Sequence, residues 1–217
     1  MKDDYLYIFK NYRPQNYKLV FDDYKGKAEF LTHIDINTEE WMNFAIKNID
    51  KAQIMFNHDF NSCYPYKLQG LMGRGPDNTE KLKFDGNYSS LQHKLLSEQI
   101  GTENAKKLGL RFDSLKISHL IHRPGHGSLW HTDSETADLY LEKLREKTGR
   151  IKTRDDIQRV WFSVVPWSWG QIFQLGDQIL THWEPGDVYT FPFDIPHATI
   201  NFGFDIKYSV GIIGEKL

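Results

Sequence analysis

From Leu115 onward, apolar and polar positions alternate with a period of two. Leu115-Ile117-His119-Ile121, Val160-Phe162-Val164, Ile172-Gln174, Ile179-Thr181-Trp183, Val188-Thr190 and Ile206-Tyr208-Val210-Ile212 read as consecutive strands. Turn signals separate them at Pro124-Gly125, Leu175-Gly176-Asp177, Pro185-Gly186-Asp187 and Phe202-Gly203. Many short strands joined by tight turns predict an antiparallel sandwich or barrel: mostly β (α+β), a small jelly roll with helices packed outside. One helix-like insertion, Ser134 to Lys147, interrupts the series and belongs at a rim. Trp183-Glu184-Pro185-Gly186-Asp187 suits a turn that enters a strand committed to the barrel.

The first 110 residues look different. Strand-like runs at Tyr17 to Phe21 and Ala28 to Thr32 flank a Tyr24-Lys25-Gly26-Lys27 turn, and two helical patterns follow. One starts at Asn37-Thr38-Glu39-Glu40, an N-cap with Glu three residues on, and carries Trp41, Phe44, Ala45 and Ile49 on one face. The other runs from about Ser89 to Ile100 with Leu91, Leu95, Leu96 and Ile100 as its buried stripe. Neither carries chemistry. The expected organisation is a single domain over residues 1–217, with 1–110 as mixed α/β support and lid and 111–217 as the β core.

Composition agrees with one domain of 217 residues: 40% hydrophobic and 14% aromatic side chains fill a sizeable core and exclude intrinsic disorder. Twenty-seven basic and 29 acidic residues leave a net charge of −2, so no overall field draws in double-stranded nucleic acid or an anionic membrane. The single Cys63 forms neither an internal disulfide nor a thiolate-rich zinc site. The N-terminus lacks an apolar signal region, and no 18-residue apolar stretch occurs. A soluble cytoplasmic protein is expected.

Four of the nine histidines fall between His119 and His131. Within a strand, residues i and i+2 share a face, so His131 and Asp133 would converge inside the barrel, with His197 on a later strand as third member. Two imidazoles and a carboxylate on one face leave open positions suited to non-haem Fe(II) chemistry. A lone His in a strand is more often a core or rim residue, so the segment after His197 matters. A hairpin at Phe202-Gly203-Phe204 would return the chain beside the His197 strand and turn Lys207 and Ser209 inward, a cation and a hydroxyl able to clamp the far carboxylate of a metal-bound dicarboxylate. The blander alternative makes Lys207 a solvated edge residue and Ser209 a spacer.

His131-x-Asp133, His197 and Lys207-x-Ser209 resemble the pattern of 2-oxoglutarate-dependent Fe(II) oxygenases, which fold as a double-stranded β-helix. Arg123-Pro124-Gly125, Arg159-Val160-Trp161-Phe162, Trp183-x-Pro185-Gly186-Asp187 and His197-x-x-x-Asn201 narrow it to a likeness with the aspartyl/asparaginyl β-hydroxylase and free-proline cis-hydroxylase group. It covers roughly residues 115–213. The resemblance implies iron held by His131, Asp133 and His197, with 2-oxoglutarate as cosubstrate, O2 as oxidant, and succinate and CO2 as products. Lys207 stands where that group usually has Arg, a point charge in place of a fork. Asp133 favours hydroxylation over halogenation. The insertion from Ser134 to about Asp156 is longer than the group's. Arg159 is left between contacting a carboxylate of 2-oxoglutarate or of substrate and forming a surface salt bridge.

Other features have plainer readings. Gly70 to Pro76 has the glycines of a phosphate loop without its flanking elements and reads as a loop over the barrel mouth carrying Arg74. His122 and His126 read as turn-region residues, with support of the metal ligands as the alternative; Trp130, Trp161, Trp167 and Trp169 read as core or rim aromatics, with one of them open as a substrate-pocket wall, and His182 as structural. Two rivals to the oxygenase stand. A cupin-type metalloenzyme without redox chemistry would use the same ligands with Zn or Mn and have no need of Lys207 and Ser209; a non-catalytic jelly roll would bind a sugar or peptide on its aromatic rim. The substrate, an amino acid or a residue within a peptide or protein, is implied only by family analogy, and the oligomeric state is left open.

Overall fold

The computed structural model describes residues 27–48, 52–54, 80–82, 99–150 and 153–217, apart from the side chains of 48, 52–54, 80–82, 126, 128–131, 135 and 147. The strand expected at Tyr17 to Phe21, the Gly70 to Pro76 loop and most of the helix expected from Ser89 lie outside the described residues; residues 99–107 are helical, beyond the Ile100 at which its stripe ends.

Two antiparallel sheets form a double-stranded β-helix. The larger runs in the order β1 (Glu29–His33), β9 (Asp187–Thr190), β6 (Ile157–Ser163), β11 (Lys207–Glu215), β4 (Lys116–His122), β3 (Glu80–Leu82) and β2 (Ala52–Ile54). The smaller runs β5 (His126–His131), β10 (His197–Asn201), β7 (Gln171–Leu175) and β8 (Gln178–Leu180). Because each strand presents alternate residues to opposite faces, the larger sheet carries two cores. On its outer face Val160, Phe162, Tyr208, Val210 and Ile212 pack under α1 (Thr38–Asn48), whose Trp41 and Ala45 point inward, and against Ile100, Ala105 and Leu108. On its inner face Trp161 meets Phe173, Leu175, Trp183, Phe191 and Ile195 between the sheets. Each such side chain contributes about 1.5–3 kcal/mol by leaving water.

Local signals explain the ends of the elements. The Glu40 amide donates to Asn37 Oδ1 at 3.1 Å, the expected cap of α1, and Thr38 Oγ1 donates to Val164 O at 2.9 Å, pinning the helix to the sheet. The insertion is α2 (Ser134–Thr148), which buries Ala137, Tyr140, Leu141 and Leu144 against Ile157, Phe193 and Ile213. The strand expected through Trp183 stops at Leu180, because His182 turns to φ 58° and its ring stacks on Trp167 at 4.0 Å. Gly186 sits at φ 85° in the turn before β9, where its amide donates to Ser163 O at 2.9 Å and its carbonyl accepts from Ile34 N at 3.0 Å. A Cβ there would lie 2.1 Å from Ile34 O, so only glycine fits.

One expectation is corrected. β10 and β11 are not a hairpin: β10 is hydrogen-bonded on both sides, to β5 and β7, and β11 likewise to β4 and β6, in the other sheet. Residues 202–206 cross between the sheets, held where Asn201 Nδ2 donates to His122 O at 2.9 Å and Asp205 O at 2.8 Å. Among the described residues, no helix is long and apolar enough to cross a membrane.

Candidate functional site

Pairing of β5 with β10 sets His131 directly opposite His197. The side chain of His131 lies outside the described part of the structure. The strand ends at His131, so Asp133 does not share its face by strand alternation as expected. Asp133 instead sits at the N-terminus of α2, its amide donating to Phe193 O at 2.9 Å. This turn nevertheless brings its carboxylate to the site: Oδ2 lies 3.3 Å from His197 Nε2.

His197 is buried, with the edges of Phe173 and Phe191 against it at ring-centroid distances of 5.9 and 5.5 Å. Its Nδ1 lies 3.0 Å from Ile195 O. A carbonyl only accepts, so Nδ1 donates its proton there, which leaves Nε2 of the neutral ring as an acceptor facing the Arg159 guanidinium. Arg159, from β6, completes this corner. Its guanidinium ion-pairs with Asp133 Oδ2, approaches His197 Nε2 at 3.4 Å and lies over the Phe191 ring at 4.5 Å. Burial pulls its pKa down to about 9, while the adjoining carboxylate favours the charged form. The surface salt bridge considered for Arg159 is therefore overturned: its side chain is only 10% exposed.

Two residues along β10 lies the second half of the site. Lys207 is fully buried, not a solvated edge residue. Its ammonium donates to Thr199 Oγ1 and stands 5.4 Å from the Trp183 ring, 5.5 Å from Trp161 and 5.6 Å from Phe173. Aromatic faces compensate only part of the lost hydration, and desolvation lowers the lysine pKa to about 7. Among the described residues no carboxylate pairs with it. Ser209, on the same face of β11, is buried with its hydroxyl making no hydrogen bond among the described residues, and Trp183 Nε1 is in the same condition. A buried cation beside unsatisfied donors is matched by an anionic oxygen ligand.

Sequence reasoning missed three features here. Thr199, two residues from His197, was accessible through the same alternation. The aromatic cage around Lys207 and the Asp133–Arg159 pair depend on contacts between sheets and carry no local signal. His122, expected in a turn, is instead fully buried at the end of β4, opposite Lys207 in register. Away from the site, buried His119 places Nδ1 2.5 Å from Tyr208 Oη in the core under α1, and desolvation lowers its pKa to about 3.

Among the described side chains no three ligating groups come together; Asp133 and His197 do, and the backbone register adds the position of His131. One carboxylate, one imidazole presenting its Nε2 and a second imidazole position fit a divalent metal by donor chemistry.

No protein-family model matches the sequence, and neither does any curated protein. Solved structures do match. A non-haem α-ketoglutarate-dependent epimerase from nogalamycin biosynthesis is similar at 10% identity, over 93% of this chain and 83% of that one, with a TM-score of 0.51. A cupin 2 conserved barrel domain protein from Salinispora arenicola matches at 12% identity and a TM-score of 0.30, over 47% of this chain and 64% of that one, so under two thirds of its length is spanned. A predicted oxalate decarboxylase from Thermotoga maritima matches at 11% identity over 66% of this chain and 84% of that one, with a TM-score of 0.35. At these identities the likeness is one of fold, and the chain has the cupin-like double-stranded β-helix.

Proposed function

We propose that this protein is an Fe(II)- and 2-oxoglutarate-dependent dioxygenase that hydroxylates an amino acid or a residue within a peptide. The observation that carries the reading is the buried Lys207 ammonium, beside the unsatisfied Ser209 hydroxyl and joined to Thr199, two residues from His197 on β10. Two residues of strand span about 7 Å, a distance that a five-carbon dicarboxylate bridges from a metal at His197 to a cation at Lys207.

His131, Asp133 and His197 would hold the iron, which with 2-oxoglutarate and O2 supplies the oxidising power that yields succinate, CO2 and a hydroxylated substrate. Around it the chain's own residues bind and orient. Lys207 and Ser209 hold the distal carboxylate, and Phe173, Trp161 and Trp183 exclude water from that contact. Ile195 O keeps the His197 proton on Nδ1. The order of these residues supports a place near the aspartyl/asparaginyl β-hydroxylase group, with residues 111–217 carrying the site within one domain of 1–217. A redox-silent cupin metalloenzyme would leave the buried Lys207 without an anionic partner.

Anaerobic addition of Fe(II) and 2-oxoglutarate should give the visible charge-transfer band of a chelated keto acid. Its absence in folded, iron-loaded protein would overturn the reading. Asp133→Ala should lose the band through loss of iron; a wild-type response would mean that another residue supplies the carboxylate.

A further inference from the structure

Asp133 Oδ2 and His197 Nε2 are 3.3 Å apart, and one guanidinium reaches both: Arg159 pairs with the first and lies 3.4 Å from the second. A divalent ion held by these residues would need the same carboxylate and the same imidazole lone pair. The Nε2 atom has one in-plane lone pair, so it serves either the guanidinium or the metal. Two positive charges on one carboxylate also repel each other in this buried corner.

We infer that Arg159 is a competing cation at the metal centre, so that metal loading must displace its guanidinium. This rests on the metal-binding reading above and adds a role that the resemblance does not assign. The surroundings provide for the movement. Arg159 lines a cavity of about 570 Å³ whose walls include Ile157, Thr190, Phe193 and Lys216. Phe191, over which the guanidinium already lies, lines the same cavity, so a rotation about the arginine stem carries the charge outward across an aromatic surface. Arg154, also in the wall, is held by Asp138 at 2.7 Å and does not share the Asp133 corner.

Competition and simple structural support predict opposite signs. Were Arg159 a prop for the ligands, its removal would loosen them and weaken metal binding. As a competitor, its removal strengthens binding, by about tenfold or more on the usual scale of coupling between two occupants. The test is Co(II) titration of the full chain, read by calorimetry and the cobalt visible bands. Arg159→Met keeps the apolar stem over Phe191 and should bind Co(II) about tenfold more tightly than wild type, with Arg159→Lys between the two. Equal or weaker binding by Arg159→Met, with wild type binding normally, overturns this inference alone. No binding by either protein overturns the metal reading and this inference with it. Should Arg159→Met fail to fold by circular dichroism, Arg159→Lys decides: tighter binding than wild type supports the competition, and equal or weaker binding overturns it.

Discussion

The ammonium of Lys207 donates to the hydroxyl of Thr199, joining β11 of one sheet to β10 of the other through the middle of the barrel. Such a cation resists burial, and the resistance has a sign that can be measured. Its folded pKa of about 7 lies below the ordinary 10.5. Between these values the unfolded chain holds a proton that the folded chain has lost, so stability rises with pH across the window. Lys207→Met lacks this contribution. Without ligand it should be more stable than wild type at pH 7 and below, with the difference shrinking as pH rises toward 10.5. Urea denaturation across that range measures it; a constant difference would show that Lys207 does not titrate there.

The same residue should set affinity for 2-oxoglutarate. Lys207→Ala removes a charge-assisted contact in a desolvated pocket, at a cost of about 2–5 kcal/mol, or roughly thirtyfold or more in affinity. Lys207→Arg should restore part of the loss, limited by the room inside the Trp161, Phe173 and Trp183 cage. Ser209→Ala should cost less, about 0.5–3 kcal/mol for one hydrogen bond. Wild-type affinity should fall as pH rises above about 7, because the ammonium deprotonates. Titration with 2-oxoglutarate at saturating Fe(II) reads all three variants, and an unchanged Lys207→Ala would place the carboxylate elsewhere, with Arg159 next to be tested.

Gly186→Ala should destabilise the fold without touching the site. Its φ of 85° costs about 1–3 kcal/mol for a residue with a Cβ, and the new methyl would press on Ile34 O, where β1 leads into α1. Thermal and urea unfolding check this. Wild-type stability in Gly186→Ala would mean that the turn relaxes freely.

Acid sensitivity should trace in part to His119. Its folded pKa of about 3 lies below the usual 6.5, so the unfolded chain takes up a proton between those values and stability falls as pH drops through that window. His119→Gln, which does not titrate, should flatten this part of the pH profile. Tyr208→Phe should cost about 1–3 kcal/mol by leaving the buried His119 Nδ1 unpaired. Denaturation from neutral pH to pH 4 distinguishes the two effects.

The sequence by itself determined most of the long strands of the barrel, the two helices of the described residues that carry clear signals, and the Trp183 to Asp187 turn. Alternation, capping and turn chemistry act within a few residues, so a linear reading finds them: β4, β6, β7, β9 and β11 lie where period two predicts, and Asn37 caps α1. That Lys207 and Ser209 share one inward face followed from the same alternation. What that face meets did not. Whether β11 pairs with β10 or crosses to the other sheet depends on which strand edges β4, β5, β6 and β7 offer, hydrogen bonds between segments far apart in sequence. Only the tertiary structure decided that Asp133 reaches His197 from a helix start and not from a strand. It alone closed Trp161, Phe173 and Trp183 around the ammonium and set Arg159 between a carboxylate and an imidazole, because burial and ion pairing are properties of surfaces brought together, and no short stretch of chain contains both sides.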